Sequence, residues 1–390
     1  MGWRDAVQSL VHRGAHSAED TFDRLVARLR ARTGRSDPVV VQPYRGFGTA
    51  RELWVKGRVL EDEGILDATD RDTLWQNVVA MYRRFESDEV PGARIEVALG
   101  ETRLVVVSDE EGYFEAHLRP DPARTTSTGW EEVELRLVEP PSAGAPVVAR
   151  VQVPHPEAAF GVISDIDDTI LPTGATSLTT LARTTFLHNA RTRLPFEGAA
   201  AFYRALSEGP LGRTGILNPF FYVSSSPWNL YDFLEDFFEL NRIPEGPILL
   251  RDLGIDAEKL IEDGHDHKLE KIERILGTYP ALPFVLVGDS GQEDPELYTE
   301  AVRRHPGRIR AIYIRDVTPD DRDAEVRKLL ASAEADHVHL RLVADSLEAA
   351  EHAAGVGLIH PAAVERVRSE TLEDQGMEAG EISPDPGAGP

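Results

Sequence analysis

Beyond Pro154 the chain alternates short, uninterrupted apolar runs with helical patterns, and that rhythm admits few folds. The clearest runs are Phe160 to Ile163, Phe220 to Val223, Phe284 to Val287 and Ile309 to Ile314. A last strand is predicted over Val338 to Val343, with a helix from Ser346 through Ala354 behind it. Strands that are apolar on both faces need cover on both faces, so the pattern predicts a parallel sheet with crossover helices. Sheets of this kind bind ligands outside the carboxyl ends of their strands, which is where several of these runs meet acids and hydroxyls.

The first run leads directly into Ser164-Asp165-Ile166-Asp167-Asp168-Thr169. In extended chain Asp165 and Asp167 face the same side. Like charges that close do not all stay ionised without a counterion, and hard oxygen ligands suit Mg²⁺ completed by a substrate phosphate. One carboxylate could then attack phosphorus while the other moves protons. Asp168 and Thr169 could equally be a plain helix cap. A second buried run, Phe284 to Val287, delivers Gly288-Asp289, with Asp294 following, so two strands bring carboxylates to one edge. The third run ends in Ser224-Ser225-Ser226-Pro227-Trp228. Ser226 with Pro227 reads as a helix cap, whereas Ser224 at the strand end is open to either a turn or a phosphoryl contact. A helix over Asp266 to Leu276 carries Lys268 at its start, where a cation gains nothing from the helix dipole and a catalytic charge becomes credible. His265 and His267 lie nearby in a polar stretch without a third ligand and read as surface residues.

Upstream the rhythm differs. From about 38 to 153, alternating segments such as Leu53 to Leu60, Thr102 to Val107 and Glu132 to Val138 are parted by turn material, which predicts an antiparallel β-sandwich. Within it only Thr73 to Glu86 has helical spacing. Residues 1–37 predict an amphipathic helix with a basic side, suited to docking on the protein itself or to touching an anionic membrane. Residues 369–390 are acidic and rich in Pro and Gly, and are expected to be disordered. The division is therefore 1–37, 38–153, 154–368 and 369–390.

Composition narrows the chemistry. With 67 Asp+Glu against 42 Lys+Arg the formal charge is -25, a whole-molecule field that repels nucleic acid and anionic lipid and obliges any anionic substrate to find a local positive site or a bound cation. The chain has no cysteine, which excludes thiolate catalysis, disulfides and cysteine-built zinc sites. No signal peptide or bilayer-spanning run is evident, so a cytoplasmic protein, peripheral to membrane at most, is expected.

Taken together, Asp165-Ile166-Asp167-Asp168-Thr169, Ser224, Lys268 and Gly288-Asp289-Ser290-Gly291-Gln292-Glu293-Asp294 resemble, in order, the four motifs of the haloacid dehalogenase phosphatase superfamily. Within it, Tyr222 to Tyr231, Val287 to Tyr298, Pro43 to Gly48 and Gly57 to Leu60 are similar to the fungal actin-patch phosphatidate phosphatase family, over roughly residues 38 to 360. The resemblance implies an α/β fold with a Rossmann-like parallel sheet behind the sandwich. It implies Asp165 as nucleophile, Asp167 as acid and base, and Lys268 as a neutralising catalytic cation. Ser224, Ser225 and Thr169 would form the phosphate side, with Thr169 steadying the Asp167 loop. Mg²⁺ would draw on Asp165, Asp167 through its backbone carbonyl, Asp289 and Asp294. The insert between Ile170 and Phe220, with helical patterns at Leu178 to Leu187 and Ala199 to Leu206, is too short for a large cap. An open site suits a lipid phosphate such as phosphatidate, with soluble or protein phosphates, or a catalytically idle binding module, as the alternatives.

Overall fold

The computed structural model describes residues 38–61, 89–123, 129–141, 144–170, 196–212, 216–251, 264–317, 322–333 and 338–375. The helices expected within 1–37, at Thr73 to Glu86 and at Leu178 to Leu187, and the tail from 376 on, lie outside these residues.

The first unit is built from eight strands: β1 (Val39–Pro43), β2 (Gly46–Thr49), β3 (Glu52–Glu61), β4 (Arg94–Leu99), β5 (Thr102–Val107), β6 (Tyr113–Leu118), β7 (Trp130–Glu139) and β8 (Val147–Gln152). Period-2 burial makes the core: along β7, Val133, Leu135 and Leu137 point in while Glu132, Glu134 and Arg136 stay outside. These join Leu53, Val55, Ile95, Val97, Phe114 and Val151 in one cluster. The topology departs from a sandwich of two separate sheets. All eight strands share one hydrogen-bonded sheet, in the order β1-β3-β2-β8-β7-β4-β5 with β6 also on β3. One pairing, β2 with β8, is parallel. Strand β3 is long enough to pair with β1 and β2 along one edge and β6 along the other, and this joins what would otherwise be two layers.

The second unit is a six-stranded, wholly parallel sheet in the order β11-β10-β9-β12-β13-β14. Its strands are β9 (Gly161–Ser164), β10 (Phe220–Pro227), β11 (Ile248–Arg251), β12 (Phe284–Asp289), β13 (Ile309–Arg315) and β14 (His339–Val343). Helices α1 (Ala199–Glu208), α2 (Tyr231–Leu240), α3 (Gly264–Thr278), α4 (Asp294–Arg304), α5 (Arg322–Ala333), α6 (Ser346–Gly355) and α7 (Ala362–Asp374) connect and follow them. Alternate residues of each strand feed two cores. Val162, Tyr222, Val285 and Tyr313 pack with α1, α2, α6 and α7, and Ile163, Phe221, Leu286 and Ile312 pack with α3, α4 and α5. From β9 the chain builds outward through β10 and β11, then returns to lay β12 on the other side of β9. The strand order reverses there, and the crevice opens at the carboxyl ends of β9 and β12. Helix α7 continues past Ser369, where composition predicted disorder. Its last turn is held down because Thr371 is buried and the Asp374 carboxylate accepts from the Gly198 N–H at 2.9 Å.

The two sheets meet along residues 43 to 48. The Tyr44 ring stacks on Trp228, with centroids 4.9 Å apart, and lies 4.3 Å from the Tyr231 ring. The Arg45 N–H donates to the Tyr231 hydroxyl at 2.7 Å and the Gly48 N–H to the Tyr279 hydroxyl at 3.1 Å. Phe47 meets Phe221 edge to face. Gly46 allows the chain to run this close to β3, since a Cβ there would sit 2.1 Å from the Trp54 carbonyl oxygen.

Tyr279→Phe leaves the buried Gly48 N–H without its acceptor and is expected to cost about 1–3 kcal/mol in urea unfolding. Phe47→Ala, which empties a buried aromatic site, should cost about 3–5 kcal/mol. If neither variant lost more than about 0.5 kcal/mol, the two sheets would not depend on this joint.

Candidate active site

The ends of β9 and β12, strand β10, the start of α4 and the second turn of α3 supply the site. The Asp165 N–H donates to the Val287 carbonyl at 2.9 Å, which ties the turn after β9 to β12. Asp168 adopts a left-handed conformation, φ 54, tolerable for aspartate, and turns the chain sharply between Asp167 and Thr169. Asp289 closes β12, and Asp294 opens α4. Helix α3 begins at Gly264, earlier than the spacing predicted, so Lys268 is its fifth residue, one turn in rather than at the start. Asp165, Asp289, Asp294 and Lys268 are all buried, and carboxylate oxygens of the three acids lie within 4.8 Å of one another.

The lysine sits among them. Lys268 Nζ is 2.7 Å from Asp165 Oδ1 and also donates to Asp294 Oδ1. Asp294 Oδ2 accepts from the Asp289 N–H at 3.2 Å, and Asp289 Oδ1 accepts from the N–H groups of Gly291 and Gln292 at 2.7 and 3.0 Å. Gly288 is required beside them, since a Cβ on it would lie 2.3 Å from Asp294 Oδ2. Asp289 Oδ2 is buried with no hydrogen-bond partner among the described residues. Such an orphaned anionic oxygen is what a bound cation would satisfy.

Asp167 is placed differently. Its Oδ2 accepts from Ser224 Oγ at 2.6 Å, and Ser226 Oγ lies 3.3 Å from both its oxygens. Its carboxylate is therefore taken up by the serines and is not part of the three-acid cluster, although its backbone carbonyl faces Gln292 Nε2 at 3.4 Å. The reading of Ser226 as a helix cap fails: β10 runs on through Pro227, no side chain caps the short 3-10 turn at Trp228–Leu230, and the Ser226 hydroxyl serves Asp167 instead. Thr169 Oγ1 donates to Asp165 Oδ2 at 3.2 Å, so it steadies the first acid. Ser225 is exposed and, with Lys268, Gly291 and Asp294, lines a cleft of about 340 Å³. His267 is exposed, 3.8 Å from Glu270 and outside the cluster.

Sequence reasoning missed the contacts behind the acids. Ser164 Oγ donates to the Asp165 carbonyl at 2.7 Å and pairs with the Tyr203 hydroxyl at 2.7 Å, so α1 braces the turn from below. Lys271 Nζ donates to the Ser224 carbonyl at 3.1 Å. Only the one-turn spacing from Lys268 hinted at a second cation on this side of α3.

Burial dominates the electrostatics. It drives the Asp165 carboxyl well above the usual range against the pull of Lys268, with Asp294, Asp167 and Asp289 pushing the same way as burial. Asp167 is raised by burial, partly offset by the Ser224 hydrogen bond and Lys268. Asp289 is pushed up to about 7 by burial and then by Asp294. For Lys268, burial favours the neutral amine, but Asp165 and Asp294 outweigh it and hold the ammonium. A site with three acids and one lysine is short of positive charge.

Residues 160–316, from the start of β9 to just past β13, match the family described as "Phosphatidate phosphatase APP1, catalytic domain". The segment belongs to that family. It contains every acid, hydroxyl and lysine of the site. Over 159 residues the chain is 35% identical to phosphatidate phosphatase APP1 of Saccharomyces cerevisiae, covering 40% of this chain and 26% of that protein. Over 219 residues it is 29% identical to an uncharacterized protein of Schizosaccharomyces pombe, covering 55% and 35%. The chain thus spans about a quarter to a third of the length of these curated relatives. A solved carbohydrate acetylesterase from Xanthomonas citri aligns over 88% of this chain and 77% of its own, at 11% identity and a TM-score of 0.29, too loose a likeness to bear on fold or activity.

The raised Asp289 fixes a pH dependence. An unfolded aspartate titrates near ~3.9, so without a cation this group's contribution to stability is full below about pH 4 and is lost as pH rises to about 7. A divalent cation needs the ionised form, so its stabilising effect should grow over the same interval. The thermal shift produced by MgCl₂ is expected to be larger at about pH 8 than at about pH 5, and Asp289→Asn should flatten that rise. Equal shifts at both pH values would contradict the assignment.

Proposed function

We propose that this chain is a Mg²⁺-dependent phosphatase of the haloacid dehalogenase type that hydrolyses a phosphomonoester through an aspartyl-phosphate on Asp165. Its substrate is phosphatidate or a related lipid phosphate. One observation carries the reading: three buried carboxylates and one buried lysine converge at the strand-order reversal, within the segment that matches the phosphatidate phosphatase catalytic-domain family. The donor set fits a hard divalent cation, because all the ligand atoms are oxygens and Asp289 Oδ2 is buried without a partner among the described residues. Asp165, Asp289 and Asp294, with the backbone carbonyl of Asp167, would hold it. When bound, Mg²⁺ supplies positive charge against the phosphoryl oxygens and the acids.

The chain's own groups supply the rest. Lys268, kept protonated by its two acids, pulls Asp165 toward the carboxylate against burial and offers an ammonium to a phosphoryl oxygen. Asp165 attacks phosphorus, forming an Oδ–P bond as the bond to the leaving oxygen breaks. Asp167, whose raised affinity for a proton suits a general acid, gives that proton to the leaving oxygen. The resulting carboxylate then takes a proton from water, which attacks phosphorus and returns Asp165 to its free form. Ser224, three residues before the end of β10, has its hydroxyl on Asp167, and the exposed Ser225 beside it lines the cleft where a phosphoryl group would enter. Thr169 and the Ser164–Tyr203 pair keep the nucleophile in place.

A lipid substrate would bring the protein to a membrane surface from outside the bilayer. Among the described residues no helix is long and apolar enough to cross a membrane. The cytoplasmic face is the side on which a peripheral enzyme of this kind is expected to work. Soluble and protein phosphates are the alternative substrates.

Asp165→Asn should lower phosphate release by several orders of magnitude with the fold intact by circular dichroism. Unchanged turnover would remove the mechanism. In an assay of phosphatidate in mixed micelles against sugar, nucleotide and peptide phosphates, with and without MgCl₂, phosphatidate should be preferred and chelation should abolish release. A clear preference for the soluble panel would remove the lipid assignment while leaving the phosphatase in place.

A further inference from the structure

Near its end strand β10 carries three serines whose backbone leaves the ladder. Its pairing with β9 stops at Tyr222, and its register with β11 shifts between Val223 and Pro227, so that Ser224, Ser225 and Ser226 lie where β11 has only Leu250. Irregularities of this kind re-aim side chains beside active sites. Ser224 and Ser226 are buried and both reach Asp167, while Ser225 between them is exposed. Lys271 Nζ, donating to the Ser224 carbonyl at 3.1 Å, holds the strand in this course.

The two hydroxyls do different things. Ser224 Oγ receives the Ser226 N–H at 2.8 Å and so directs its one proton to Asp167 Oδ2, at 2.6 Å. Ser226 Oγ lies 3.3 Å from each of the two carboxyl oxygens, and among the described residues it is the only hydrogen-bond partner of Oδ1. The Ser226 hydroxyl has no other partner among the described residues and caps no helix. A carboxyl held at one oxygen can still turn about that contact, and a second hydroxyl set against both oxygens stops the turn. In the acid form one oxygen accepts only and the other carries the proton. Oδ2, with the short bond from Ser224, is the accepting one, which leaves Oδ1 to carry the proton.

We propose that Ser226 is a positioning residue for proton transfer: its hydroxyl holds the Asp167 carboxyl in the rotation that presents the Oδ1 proton to the leaving oxygen. The proposal rests on the phosphatase reading. As Asp165 bonds to phosphorus, the electron pair of the breaking P–O bond stays on the leaving oxygen. That oxygen takes the Oδ1 proton and departs neutral, and Asp167 is left as a carboxylate. A leaving group that is stable as an anion needs no such proton, so Ser226 matters only for esters whose leaving group does need one.

The test is single-turnover release of the leaving group from phenyl phosphate and from dinitrophenyl phosphate, with the full chain in excess and MgCl₂ present, which separates this step from the later attack of water. Ser226→Ala should slow phenyl phosphate at least about tenfold, the scale of one lost hydrogen bond, and leave dinitrophenyl phosphate within about twofold. Ser226→Thr, which restores the hydroxyl, should bring phenyl phosphate back to within about threefold of the unsubstituted rate. Added to Asp167→Asn, Ser226→Ala should change phenyl phosphate by less than about twofold, because the group it positions is already gone. Circular dichroism checks that the variants fold. Equal slowing of both esters, no slowing of either, or a further loss of about tenfold on top of Asp167→Asn would overturn the proposal and leave the phosphatase reading intact. No release from either ester by the unsubstituted protein would remove that reading, and the proposal with it.

Discussion

Burying like charges is the constraint on which this structure turns. Asp165, Asp289 and Asp294 are drawn out of water within a few ångströms of one another, with one lysine among them. A buried pair of this kind is weak support for stability, because desolvation offsets the attraction, and removing one partner leaves a charge uncompensated. A chain gains little stability from such an arrangement. Its presence at a strand-order reversal, braced by Thr169, Gly288 and the Ser164–Tyr203 pair, is what points to phosphoryl chemistry.

The scaffold follows from that need for precision. Two fully buried strands, β9 and β12, run side by side and release their acids at the same edge, while α3 brings Lys268 in from one face. The first sheet is part of the same body. Tyr44 on Trp228 and Gly48 on Tyr279 fasten it to the turn that follows Ser226 and to the end of α3. The joint that fastens the sheets also encloses a cavity of about 140 Å³.

Much of this was legible in the sequence because it is local. Strands buried on both faces read as unbroken apolar runs, and the runs at Phe160 and Phe284 led directly into acids, so Asp165, Asp167 and Asp289 could be placed at strand ends without coordinates. Lys268 stood out for its unfavourable position in its own helix. The rest depended on contacts between distant segments. Strands β1, β2 and β8 were not separated from loop, since Gly46 and Gly48 carry no pattern and Pro43 breaks the alternation. Nothing local shows that β3 pairs on both edges, and hence that the expected two-layer sandwich is one sheet. Ser226 before Pro227 has the signature of a cap, and only the approach of Asp167 reveals its partner. The helical end of α7 was hidden by acidic composition, because the burial of Thr371 against Gly198 comes from packing.

The most direct measurement of the central claim is mass analysis of acid-quenched Asp167→Asn protein after mixing with MgCl₂ and an aryl phosphate whose leaving group needs no proton, so that the substitution slows only the second step. The account predicts a phosphoryl group on the peptide that contains Asp165, absent when Asp165 is also replaced by Asn. Phosphate release at an undiminished rate, with that peptide unmodified throughout, would contradict it.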